Sequence, residues 1–125
     1  MPYGQPVATA TRAADLDEVF KALGDPTRRA VVARLGRGPT STSVLAGDFE
    51  MALPSFVQHL EVLEHAGLVT STKQGRVRTY RLTPDPLDEA AAWLAGQRDR
   101  WNRRFDQLDA HLESVQRIAK EQSRP

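Results

Sequence analysis

The chain has 125 residues, 40% hydrophobic and 26% charged, with 17 basic residues against 16 acidic ones and a formal net charge of +1. That length holds one domain, or one compact domain with an appendage, and the apolar share is that of a globular protein. The lack of cysteine excludes a disulfide framework, a thiolate metal site and a thiol redox switch, and no apolar run reaches the length of a transmembrane helix.

Residues 1–11 are rich in Pro, Gly and small polar types and are expected to form a flexible tail. They lack a charged-then-apolar signal pattern, so the protein is expected in the cytoplasm. Leu16, Val19, Phe20 and Leu23 then recur at the spacing of one helix face, and Gly24 closes that helix. Asp25 reads as an N-cap with Pro26 at the first helical position, where its missing N–H costs nothing. This second helix runs to about Leu35, burying Ala30, Val31 and Leu35, and stops in Gly36-Arg37-Gly38-Pro39. A short third helix starts near Ser41 or Thr42, with Leu45 and Phe49 as its core contacts. The fourth begins around Leu53-Pro54 and ends at Gly67, a left-handed C-cap, with Leu68 just beyond.

Val69 to Lys73 and Val77 to Leu82 read as two strands joined by a turn at Gln74-Gly75, with Gly supplying a positive φ. Between Val69 and Leu82 the charged residues are Lys73, Arg76, Arg78 and Arg81, with no acid among them. Such charges can simply protect a sheet edge; beside the preceding helix pair they read as a cationic ribbon. In the last third Asp85 caps and Pro86 opens a helix that stays periodic to about Glu121, with Asp88 and Glu89 in the first turn, where the helix dipole favours them. Leu87, Leu94, Trp101, Leu108 and Val115 recur every seventh residue, and Ala91, Phe105, Leu112 and Ala119 fill the companion position. Arg98 interrupts the second register, and Gly96 is a point where the helix could kink. No internal repeat is present.

On the fourth helix Phe56, Leu60 and Leu63 share one face, and Ser55, Gln58, His59 and Val62 fall about a third of a turn away. The first set packs inward; the second faces out and offers donors and acceptors suited to base edges, Gln58 to adenine. For Ser55 and Gln58 the bland alternative is ordinary surface polarity. For His59 it is a hydrogen bond within the helix pair. Two helices with this spacing followed by a basic hairpin describe a reader of duplex DNA: one helix for the major groove, a ribbon for the adjacent phosphates.

The segments FKALGDPTRRAVVARL, LPSFVQHLEVLEHAGLV and RVRTYRL, with WL…W…RFDQLDAHL behind them, resemble the ArsR family of winged helix-turn-helix repressors, in particular its SdpR-like branch without metal-binding cysteines. The likeness covers about Leu16 to Leu112. It implies a mostly α fold with a small β-hairpin wing (residues 69–82), a winged domain over 12–121 and a long dimerisation helix over 86–121. It also implies a homodimeric repressor on a partly palindromic operator, often its own promoter. Carried over by position, the family's base-reading residues fall on Leu53, Ser55, Gln58 and His59, and its wing contacts on Lys73, Arg76 and Arg78. Ala52 stands where the family commonly has a capping Ser or Thr, and Val57 where it often has a polar residue. The family's thiolate site would fall near Ser43 to Gly47, where no ligand-type cluster exists. Asp109 and His111, the nearest approach to its other metal site, are two apart and cannot face each other on a helix. No metal or other cofactor is expected.

A helix from Pro86 to Glu121 would be roughly 50 Å long, more than a small winged domain covers, and Trp101 and Phe105 can each bury on the order of 150–250 Å². Pairing with a second subunit is the economical cover, with Leu16, Phe20, Leu94, Trp101, Phe105, Leu108 and Leu112 as the dimerisation residues; folding back as a core helix or binding a different protein is the alternative. An enzyme is not expected: no Gly-rich phosphate loop, thiol or metal-ligand cluster is present, and three histidines form no recognisable constellation. The remaining readings are a sequence-specific repressor, a winged module docking a protein, and a repressor sensing a metal or small molecule. For a repressor without cysteines, release by a small-molecule inducer, by a protein inducer or by simple autoregulation through concentration are the three readings.

Overall fold

Asp25 turns the chain from one helix into the next. Its carboxylate accepts the backbone N–H of Arg28 at 3.0 Å, ending α1 (residues 16–23) and opening α2 (Pro26–Leu35). The last carbonyls of α1, which have no partner inside their helix, are taken by α2's arginines. Arg28 donates from Nε to Ala22 at 2.7 Å and from Nη2 to Lys21 at 3.2 Å, and Arg29 from Nη1 to Leu23 at 2.7 Å. The computed structural model describes residues 16–123, so the expected tail over 1–11 lies outside the described residues.

After α2 come β1 (Thr40–Ser41), α3 (Thr42–Gly47), α4 (Leu53–His65), β2 (Val69–Gln74), β3 (Val77–Leu82) and α5 (Pro84–Gln122). Ser41 caps α3 by accepting the Val44 N–H at 3.3 Å. Ala52 caps α4 with no side-chain bond, although Pro54 in the first turn removes one of the donors that would need a partner. At its other end α4 closes on a Schellman motif. Gly67 has φ +78°, its N–H bonds Glu64 and the Leu68 N–H bonds Leu63, both at 3.0 Å. The three strands form an antiparallel sheet in the order β1-β3-β2, with Val69 opposite Leu82, Ser71 opposite Tyr80, Lys73 opposite Arg78 and Thr40 opposite Tyr80.

Val19, Val31, Leu45, Phe56, Leu60, Leu63, Leu68 and Val69 are the largest fully buried side chains, and Leu35 and Tyr80 join them in one core. Each large aliphatic or aromatic group so buried contributes about 1.5–3 kcal/mol relative to exposure. This core holds α4 and the hairpin in one body, which ends at Ala90; the rest of α5, from Ala91, is a second unit. Among the described residues no helix is long and apolar enough to cross a membrane.

Several sequence expectations are corrected. Ala30 is exposed, because the inward face of α2 is carried by Val31 and Leu35. Phe49 sits just past the end of α3, where its ring meets that of Phe56 at 5.2 Å. Val62 is partly buried against the core rather than free on the outer face. Gln74 pairs with Val77 inside the ladder, so the turn is Gly75-Arg76, with Gly75 at φ +64°. Asp85 lies within the first turn of α5, which opens at Pro84, instead of capping it. The helix also extends to Gln122, with Gly96 inside it.

Candidate nucleic-acid interface

The amphipathic pattern of α4 sorts its side chains as its helical period requires. Phe56, Leu60 and Leu63 are buried; Leu53, Ser55 and Gln58 are exposed. The polarity also changes along the helix. Ser55 and Gln58 lie in the N-terminal half, while Glu61 and Glu64 stand exposed in the C-terminal half. A polyanion approaching this surface is therefore favoured at the N-terminal end and repelled at the other.

His59 is three-quarters covered. Its Nδ1 lies 3.2 Å from Nη1 of Arg28 and 3.7 Å from Oδ2 of Asp25. The intramolecular bond anticipated as its alternative role thus exists, and its partner is the α1–α2 turn. Asp25 itself is held below the ordinary carboxylate value, chiefly by the Arg28 backbone N–H, against partial burial and with help from the neighbouring guanidinium charge of Arg28.

In the hairpin, Lys73, Arg76, Arg78 and Arg81 are all exposed. Lys73 and Arg78 stand directly across the ladder, an arrangement of like charges that is destabilising until a counter-charge arrives. Arg78 is not wholly unengaged. Its Nη1 donates to the Ser71 hydroxyl at 2.9 Å, and that hydroxyl donates to the Glu64 carboxylate at 2.9 Å. The wing is thereby pinned to the C-terminal half of α4. Near its tip a groove of about 240 Å³ is lined by Thr42, Ser43, Leu53, Arg76 and Arg78 together with Ser41 and Val77, and the Thr42 hydroxyl donates to the Arg78 carbonyl at 3.2 Å.

The structure therefore gathers Leu53, Arg76 and Arg78 on one groove and places Ser55 and Gln58 on the exposed face of the same helix. His59 is turned onto α2. Sequence reasoning missed the supporting groups: Arg28, which ties His59; Ser71 and Glu64, which tie Arg78; and the hydroxyl run from Thr40 to Ser43. The charge-free reading of Ser71 offered no signal. Arg28 did carry one, since a side chain three residues past an N-cap Asp lies over the end of the preceding helix.

Of the residues assigned to pairing between copies, Leu16 and Phe20 are half-buried against the core. Within α5, Leu94, Trp101, Phe105, Leu108 and Leu112 are about half exposed, as are Val115 and Ile118. The Trp101 and Phe105 rings stack at 5.8 Å. Among the described residues no group of three or more His, Asp or Glu side chains is arranged to hold a metal.

A helix-turn-helix domain model matches residues 23–72. Over 71 residues the chain is 44% identical to the HTH-type transcriptional regulator Rv2034 of Mycobacterium tuberculosis, covering 57% of this chain and 66% of that protein, just under two thirds of its length. Over 79 residues it is 30% identical to the transcriptional repressor SdpR of Bacillus subtilis, covering 63% of this chain and 88% of the repressor. Among solved structures, the ArsR family transcriptional regulator RHA00566 superposes with a TM-score of 0.69 at 49% identity, over 72% of this chain and 93% of that one.

Proposed function

This chain belongs to the ArsR family of winged helix-turn-helix transcriptional regulators, and we propose that it is a homodimeric, sequence-specific repressor acting in the cytoplasm. In this reading α4 enters the major groove by its N-terminal half. Leu53, Ser55, Gln58 and His59 meet base edges and nearby backbone, and Lys73, Arg76 and Arg78 lie along the flanking phosphates.

One observation carries the reading. A donor-bearing helix end and a set of exposed hairpin cations share one rigid core, while the acids of α4 are confined to the opposite end of the helix. The name of the B. subtilis relative supports repression. Dimerisation rests on α5: its exposed stripe of Leu94, Trp101, Phe105, Leu108 and Leu112 is too large an apolar surface to leave in water. Leu16 and Phe20, half-buried against the core, are assigned to the same pairing in this reading. A two-fold dimer offers two recognition helices about 34 Å apart, one DNA turn, so the operator is partly palindromic. Occupancy of that site blocks polymerase, and the chain's own promoter is the first place to look for it.

The test is selection of duplexes from a random-sequence pool by the purified chain, followed by fluorescence anisotropy at several salt concentrations and sedimentation. The expected outcome is an enriched inverted repeat with half-sites about 10 bp apart, bound by a dimer with steep salt dependence. Absence of enrichment together with salt-independent binding would refute it.

A further inference from the structure

The two roles anticipated for His59, a structural hydrogen bond and a DNA contact, use different nitrogens of the same ring. A guanidinium has donors only and cannot give up its proton. The 3.2 Å contact from Arg28 Nη1 therefore requires Nδ1 of His59 to be the accepting nitrogen, and in a neutral ring the proton then sits on Nε2. Asp25, the other group facing Nδ1, stands at 3.7 Å, beyond hydrogen-bond reach. Among the described residues no buried side-chain nitrogen or oxygen lacks a partner in a residue that is itself covered, and Nε2 of the partly covered His59 has none among them, so Nε2 reaches solvent. Ser55 lies one turn from His59 toward the N-terminus of the same helix.

We propose that Arg28 is a positioning residue: from α2 it fixes His59 in the Nε2-protonated tautomer, so that the recognition helix presents a ring N–H donor to a DNA acceptor. Arg28 need not touch DNA to do this. Two of its other donors, Nε–H and one Nη2–H, are held by the Ala22 and Lys21 carbonyls, so its guanidinium cannot swing away from the ring without breaking those bonds across the α1–α2 turn. The donor role rests on the DNA-binding reading above; the tautomer does not.

Two measurements separate these parts. In the free, ¹⁵N-labelled full chain, long-range ¹H–¹⁵N spectra identify the protonated nitrogen of His59, assigned by the signal lost in His59→Gln. The expected state is Nε2–H, relaxing to a mixture in Arg28→Gln, whose amide can also accept. A wild-type ring protonated on Nδ1 overturns the proposal whether or not that variant folds. The second measurement is affinity for a duplex selected by the wild-type chain from a random pool. A glutamine amide nitrogen reaches the place of Nε2, and an asparagine oxygen the place of Nδ1. His59→Gln is expected to bind within about threefold of wild type and His59→Asn about tenfold more weakly, the size of one lost hydrogen bond. The reverse order would show that the ring serves only Arg28. A wild-type chain that selects no duplex overturns the donor role and leaves the tautomer to the spectrum alone.

Discussion

Replacing Arg76 by alanine isolates what the wing does electrostatically. Arg76 occupies the second position of the two-residue turn, is exposed, and makes no side-chain hydrogen bond or ion pair among the described residues. Its removal should leave stability within about 0.5 kcal/mol of wild type, as at other surface sites without partners. If it neutralises one phosphate, its loss flattens the slope of log affinity against log salt by about 0.9. Over a fourfold rise in salt, one such contact accounts for a factor of about 3.5, so wild type and variant converge by that factor between 50 and 200 mM. Arg78→Ala should show the same change in slope but also lose the 2.9 Å bond to Ser71 that leads to Glu64, at a cost of about 0.5–1 kcal/mol for an exposed network. Anisotropy titrations at several salt concentrations, with thermal unfolding of the same samples, read both quantities. An unchanged slope in Arg76→Ala would mean that the wing tip does not meet phosphate.

Replacing Trp101 and Phe105 together by glutamate puts charge into the exposed stripe of α5, and sedimentation should then give monomers; an intact dimer would exclude that stripe as the interface. Ala52→Ser supplies the missing N-cap of α4 and should raise stability by about 0.5–2 kcal/mol in denaturant unfolding, since the present cap makes no side-chain bond. Because Asp25 titrates below its ordinary 3.8 in the fold, its ionised form is the stabilising one. That contribution is complete above about pH 4 and is lost as the pH falls through the lowered value, so the stability gap between wild type and Asp25→Asn should close in acid. Tyr80 is raised above its ordinary 10.0 by burial, then by the charge of Glu64. Its neutral phenol stabilises the fold fully below that pH and progressively less above it, a loss that Tyr80→Phe should not show.

Much of this was legible in order of the chain because the strongest local signals are steric. Asp25-Pro26 and Gly67 fix helix ends by capping and by positive φ, and both lie where the sequence puts them. The apolar period of α4 likewise identified Phe56, Leu60 and Leu63 as core. What escaped depends on neighbours distant in sequence. Gln74 joined the ladder because Val77 stands opposite, β1 exists only because β3 passes beside Thr40 and Ser41, and Val62 is drawn inward by packing that a single-helix pattern cannot weigh. At the site, residue types announced donors and cations, but their engagement was invisible. Nothing local to Arg78 or His59 reveals that one is tethered through Ser71 to Glu64 and the other to Arg28 across 31 positions.

The closure of α4 on Gly67 and Leu68 sets the tolerance of this region to insertion and deletion. Only Ala66, Gly67 and Leu68 separate the end of the helix from β2, and the Leu68 carbonyl already accepts the Thr83 N–H at 2.8 Å, sealing the base of the hairpin. Strand side chains alternate with a period of two. One residue added or removed between His65 and Val69 would turn Val69 out of the core, or rotate Lys73 and Arg78 to the opposite side of the sheet from the helix they accompany. Residues added at Gly75-Arg76 would only lengthen the tip. Length variation among chains of this design should therefore be abundant at the hairpin's tip and nearly absent at its root.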